Sequence, residues 1–266
     1  MRHGHERGVF CHERAVRRAA LRPDPAVRQA GNYNRCRPCE DLPHTSYRAG
    51  TSGLFDIFRK KGQAQSSAMA ATVEEFSEAT LRAIYPYVVP TSWVDHVTPG
   101  AVISSPFSDD VHMVLVVDCQ GSVRNVRPED LESIGCSPED AFVIAAENLV
   151  AAWQAGAFEF GIATLLDGVE IGGARGNWMA PAGALILGGF YSMLEKHFGT
   201  TEFAAVALNQ ETLFAFPTDP ATLGSASLRQ ALEDEFQNHH KPISRSWLLL
   251  NGEWPNGFPA DDLHRA

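Results

Sequence analysis

The chain's 266 residues are 44% hydrophobic and 20% charged, an ordinary globular composition. Its net charge of −10 is unevenly spread: residues 1–68 carry 13 Lys and Arg against 6 Asp and Glu, whereas residues 69–266 carry 9 against 26. A folded unit so acidic has little cation density to replace the counterions of a nucleic acid, which excludes nucleic acid as the partner of residues 69–266.

Residues 1–68 are rich in Arg, His and Pro and lack hydrophobic periodicity, which predicts a disordered basic extension. The run Gly53-Leu54-Phe55-Asp56-Ile57-Phe58-Arg59-Lys60-Lys61 is of the kind that opens many small bacterial proteins. The Arg-heavy, Lys-poor stretch before it matches misread upstream sequence from a GC-rich genome. Two readings stand: a start near Gly53 or Met69, or a genuine basic tail. Within the extension Cys36, Cys39 and His44 are the metal-ligand candidates, because two thiolates two residues apart can occupy adjacent corners of a zinc tetrahedron. Cys11 and His44 complete that set only at irregular spacing, and no βαβ context supports a redox dithiol. Leu54, Phe55, Ile57 and Phe58, followed by three cations, form a cluster suited to clip onto the domain or to touch a membrane surface. Residues 63–70 are small and polar, as a linker is.

Residues 69–266 read as one acidic α+β domain. A helix is expected over 72–85, capped by Thr72, with Phe76, Ala79, Ala83 and Ile84 along one face and Pro86 and Pro90 ending it. Residues 111–118 and 122–127 suit a hairpin, and Pro128 opens a short helix. Ser137-Pro138-Glu139-Asp140 starts a longer one, reaching about 155, with Phe142, Ala145, Leu149 and Trp153 on one face. Phe158, Phe160 and Ile162 alternate as a strand does, and Asp167-Gly168 predicts a type I′ hairpin turn. The uncharged stretch 177–194 holds Pro181 and the Gly188-Gly189 pair, which favours a buried helix over 181–198 rather than a membrane span. Strands follow at 203–208 and 212–216, then a helix at 227–238. A last hairpin runs from 246–250 through Asn251-Gly252 into Glu253-Trp254. Hairpins alternating with helices predict a mainly antiparallel sheet with helices packed on it.

The densest polar cluster beside a strand is Asp109-Asp110-Val111-His112. Asp109, Asp110 and His112 are therefore the catalytic candidates, with Asp110 and His112 on one strand face for acid–base work or metal ligation. Gly172, Gly173 and Gly176, with Gly168 before them, precede a helix, so their amides are candidates to cradle an anion. Their order is not the dinucleotide fingerprint, and no Gly-Lys-Ser/Thr follows. His239-His240 suits a helix end, and Cys119 has no base beside it in sequence. No nucleophile elbow or His-Glu-x-x-His occurs, and no cofactor is expected. The first thirty residues lack an apolar h-region, and only Cys119 and Cys136 fall in the acidic part, which points to the cytoplasm.

Several segments resemble a known family: Val114-Leu115-Val116-Val117-Asp118; Pro128-Glu129-Asp130-Leu131 with Ala146-Glu147-Asn148-Leu149; Ala184-Leu185-Ile186-Leu187; Phe214-Ala215-Phe216; and Pro242-Ile243-Ser244-Arg245-Ser246. With these, residues 72–254 resemble the YtpQ-like family of uncharacterised bacterial proteins. The resemblance implies an α+β fold and a cytosolic bacterial setting, and it brings no established activity, cofactor or catalytic residue. Where the family has a Gly-Asp-Asn-Tyr-like stretch, Gly176-Asn177-Trp178-Met179 stands here. Three functions follow as expectations. The first is a non-enzymatic protein-interaction or scaffold domain, suggested by the acidic surface and by Trp93, Trp178 and Trp254. The second is a hydrolase or metal-dependent enzyme, which requires Asp109, Asp110 and His112 to converge with the glycines on one pocket. The third is an immunity-type protein that neutralises a basic partner.

Overall fold

Proline placement decides the first elements. The computed structural model describes residues 76–98, 100–119, 122–176, 181–239 and 241–258. Cys36, Cys39, His44, Trp178 and His240 lie outside these residues. The expected helix over 72–85 is corrected where it is described: a 3-10 turn, Glu78–Ala83, passes directly into strand β1, Ile84–Pro90. Ile84, Tyr85, Tyr87, Val88 and Val89 favour extended backbone, and an edge strand tolerates Pro86 and Pro90.

β1 pairs antiparallel with β3, Val111–Asp118, over its whole length, with Ile84 opposite Val117 and Pro90 opposite Val111. The other side of β3 takes β2, Ser104–Pro106, near its start and β4, Val123–Asn125, near its end. Helix α1, Thr91–His96, and β2 are elements the sequence did not announce. Helix α2, Pro128–Glu132, is anchored by the buried Asp130, which accepts bonds from the Arg127 amide at 3.0 Å and the Arg124 guanidinium at 3.0 Å. Helix α3, Pro138–Gln154, begins as expected, with the Ser137 hydroxyl accepting from the Asp140 amide at 3.1 Å.

The second sheet has six strands: β5 (Phe158–Thr164), β6 (Glu170–Gly176), β7 (Phe203–Asn209), β8 (Thr212–Pro217), β9 (Leu248–Leu250) and β10 (Asn256–Gly257). All neighbours are antiparallel, in the order β10-β9-β7-β8-β6-β5. The β5–β6 turn differs from the type I′ expectation. The Gly168 amide donates to Leu165 O at 3.0 Å, so Leu166 and Asp167 are the central residues, and Gly168 follows with φ +86°. The last hairpin also returns later than expected, at β10, and Trp254 is a buried core residue instead of a strand residue. The uncharged helix is two elements, a 3-10 turn Pro181–Ile186 and helix α4, Gly188–Phe198. Helices α5, Pro220–Leu223, and α6, Ala226–Asn238, follow β8, each capped by a side chain, Asp219 and Ser225. No helix among the described residues is long and apolar enough to cross a membrane.

The elements stack as layers. The main core joins the inner face of the small sheet (Val88, Met113, Leu115), α3 (Phe142, Leu149), α4 (Phe190, Leu194) and one face of the large sheet (Phe203, Leu213, Leu248). The opposite face of the large sheet, with Val206, Phe214 and Phe216, is covered by Leu223 of α5 and Leu228 and Leu232 of α6. β7 is buried at every residue because both of its faces are covered. On the outer face of the small sheet, Val89, Val114 and Val116 meet Trp93 and Val94 of α1.

Candidate functional site

Asp110 sits in the turn that leads into β3, where its carboxylate is saturated by hydroxyl donors. Ser108 Oγ donates to it at 2.8 Å, Ser244 Oγ at 2.5 Å and Ser246 Oγ at 2.5 Å. Its backbone carbonyl accepts from the Thr91 amide at 2.9 Å, and the Asp109 carbonyl accepts from Thr91 Oγ1 at 2.8 Å. Burial pushes the Asp110 carboxyl up, and the bonds from Ser244, Ser246 and Ser108 outweigh that, so its pKa lies below the ordinary value. The carboxylate fastens the β2–β3 turn to the segment before β9, and the two carbonyls fasten it to the start of α1. Asp109 is exposed beside it.

His112 lies two residues further on, in the outer-facing set of β3 with Val114 and Val116, opposite Val89 of β1. Its Nδ1 is buried without a hydrogen-bond partner. Burial pulls its pKa below the ordinary 6.5, and the Asp95 carboxylate of α1 opposes that pull. Among the described residues, no group of three or more His, Cys, Asp or Glu could hold a metal ion.

The glycines are strand residues of β6 and do not form a turn at a helix start. β6 lies between β5 and β8, so the backbone groups of Gly172 and Gly173 serve two ladders. Their smallness has packing causes. A Cβ at Gly172 would stand 2.1 Å from Leu194 Cδ2 of α4, and one at Gly176 would stand 2.7 Å from Ala157 O. The catalytic candidates and the glycines are not brought together. His112 faces outward from the small sheet, Gly172 faces α4 on the large one, and the main core lies between.

The surface feature that sequence reading missed is a groove between the start of α4 and the β9–β10 connection. Leu185, Leu187, Tyr191, Leu250, Trp254 and Pro255 form its apolar part, with Gly252 and Glu253 at one side. The recess is open to solvent and its space is about 20 Å³, room for one water-sized body. Tyr191 is half-buried, donates its hydroxyl to Thr201 O at 3.0 Å, and stands 3.2 Å from the position a Cβ on Gly252 would take. Burial raises the pKa of the Tyr191 hydroxyl, and the carboxylates of Glu195 and Glu202 raise it further. Glu253, which lines the recess, and Glu195 and Glu202, which act on Tyr191, are all exposed, whereas Leu185, Leu187, Leu250, Trp254 and Pro255 are buried. No sequence motif marks it, because its walls are contributed by segments about sixty residues apart.

The groove is far smaller than a small-molecule site, which encloses several hundred Å³. No family model, curated protein or solved structure matches the chain.

Proposed function

We propose that this chain is a non-enzymatic protein-interaction domain of the cytoplasm, with the acidic-rimmed groove at Tyr191 as its contact surface. The observation that carries the reading is a cluster of exposed carboxylates at the half-buried Tyr191: Glu195 and Glu202 act on its hydroxyl, and Glu253 lines the shallow recess of about 20 Å³ beside it. Such a surface offers polar contact across its face and is too shallow to sequester a reacting substrate. The polar candidates support the same reading: Asp110 is engaged by three serine hydroxyls, and His112 and the glycines lie on opposite sides of the core. The partner these carboxylates select is a basic segment.

Relation to the YtpQ-like family is part of the same proposal. Its resembling segments supply Asp130, which anchors α2, Asn148, which ties α3 to β1, and Ser244, which holds Asp110. At each of these positions a contact within the fold accounts for the residue.

Affinity capture with the wild-type chain and with the Tyr191→Glu and Glu195→Lys/Glu202→Lys variants tests the function. A partner retained by the wild type, released by salt and lost from both variants supports the groove. Retention that ignores all three substitutions overturns it.

A further inference from the structure

We propose that the outer edge of β5 pairs with β5 of a second copy of this chain, antiparallel, about a two-fold axis at Gly161. The edge lies at the opposite end of the large sheet from β9 and β10, so this pairing does not rest on the groove at Tyr191. Among the described residues β5 pairs with β6 alone. The Leu165 amide donates to Val169 O at 2.7 Å, which fixes the alternation along the ladder. Gly161 and Ala163 direct their backbone groups to β6, and Phe160 and Ile162 direct theirs outward. The other sheet edges are blunted: β1 carries Pro86 and Pro90, β2 and β4 span three residues each, and β10 spans two. β5 spans seven residues with no proline, no lysine and no register shift. Glu159, its one charge, is paired with Arg175 of β6 at 2.7 Å. An edge of this length and regularity is a template for a further strand.

The strand is complementary to itself. Laid antiparallel about Gly161, Phe158-Glu159-Phe160-Gly161-Ile162-Ala163-Thr164 places Phe160 of each copy opposite Ile162 of the other. Both are hydrogen-bonded pairs, each exchanging two backbone bonds, and both join an aromatic to a β-branched side chain, a favourable cross-strand combination. Gly161 meets its own counterpart at the axis, a non-hydrogen-bonded position where strands approach most closely. Glu159 falls opposite Ala163, so no like charges are opposed. Side-chain exposure agrees with this register. Ile162 is half-buried and joins neither the main core nor the one beneath α6. Phe160 is also half-buried, with its ring stacked on Trp153 at 4.7 Å. Pairing covers Ile162 with the Phe160 of the other copy, and the two large sheets continue as one across the axis. Because the axis uses the open edge of both copies, assembly closes at two.

Analytical ultracentrifugation of the full-length chain, from micromolar to sub-millimolar concentration, tests this and is expected to show a monomer–dimer equilibrium. Ile162→Pro removes one outward amide per copy and no bond to β6, and is expected to weaken the dimer at least about tenfold. Ile162→Lys keeps the backbone intact, places a cation on each side of the axis, and is expected to weaken it similarly. Melting of the dilute variants reports the fold of the monomer, and Ile162→Lys decides alone if Ile162→Pro does not fold. Amide exchange reads the register. As concentration rises, exchange at Phe160 and Ile162 is expected to slow, whereas Gly161 and Ala163, already bonded to β6, change little. A monomer at every concentration, oligomers beyond two, a dimer that Ile162→Lys leaves unweakened, or new protection confined to other strands overturns the proposal.

Discussion

Ser244 Oγ donates to the Asp110 carboxylate at 2.5 Å across a sequence separation of 134 residues. This bond and its neighbour from Ser246 tie the small sheet to the strand system of the large one. Asp110→Ala removes the acceptor of three hydroxyls and is expected to lower the unfolding free energy by about 2–3 kcal/mol, read from urea denaturation. Ser244→Ala removes one donor and is expected to cost about 1 kcal/mol.

Acid sensitivity follows from the same region, with the sign set by two depressed pKa values. His112 is held below 6.5 by burial, so the unfolded chain takes up its proton first as the pH falls. Its contribution is complete above 6.5 and is lost as the pH falls from there toward the folded-state value. Asp110 is held below 3.8, so its contribution persists above 3.8 and is lost at more acid pH. Thermal unfolding of the wild type is therefore expected to shift downward between about pH 7 and 5. His112→Val, which cannot protonate, is expected to reduce that shift. An unchanged shift in the variant would remove His112 from the account.

The glycines of β6 separate packing from ligand binding. Gly176→Ala places a Cβ 2.7 Å from Ala157 O and from Phe158 Cβ, backbone and core atoms that have little room to move. It is expected to destabilise the fold by about 2 kcal/mol. Gly161→Ala, on the neighbouring strand, meets nothing within 4 Å and is expected to change stability by less than about 0.5 kcal/mol. Added inorganic phosphate is expected to leave the melting temperature of the wild type unmoved; a concentration-dependent rise would restore the anion cradle.

Asn148 offers a fourth measurement. Its side-chain amide donates to Leu81 O at 2.8 Å and to Ile84 O at 2.9 Å, joining α3 to the point where the 3-10 turn becomes β1. Asn148→Leu leaves both carbonyls without that donor and is expected to cost about 2 kcal/mol in chemical denaturation. Amide exchange in β1 is expected to accelerate with it.

Local chemistry made much of the fold legible. Ser137 with Pro138 announced α3, the alternation of Phe158, Phe160 and Ile162 announced β5, and the apolar runs at 203–208 and 212–216 announced β7 and β8. β1 was hidden because Phe76, Ala79 and Ala83 carry a helical period into it, and pairing with β3 overrides that local preference. The glycines read as a turn because sequence spacing cannot show that Leu194 fills the space a side chain would need.

What the sequence by itself determined was the class of the molecule: an acidic α+β domain of alternating hairpins and helices, preceded by a basic, cation-tipped stretch. Periodicity, capping and charge act over a few residues or over the whole composition, so they are readable without coordinates. Only the tertiary structure decided that Asp110 is tied to Ser244 and Ser246, that His112 and Gly172 lie on opposite sides of a core, and that Tyr191 and Trp254 line one groove. Each of these depends on contacts between residues far apart in the chain, which chain folding sets and no short window of sequence contains.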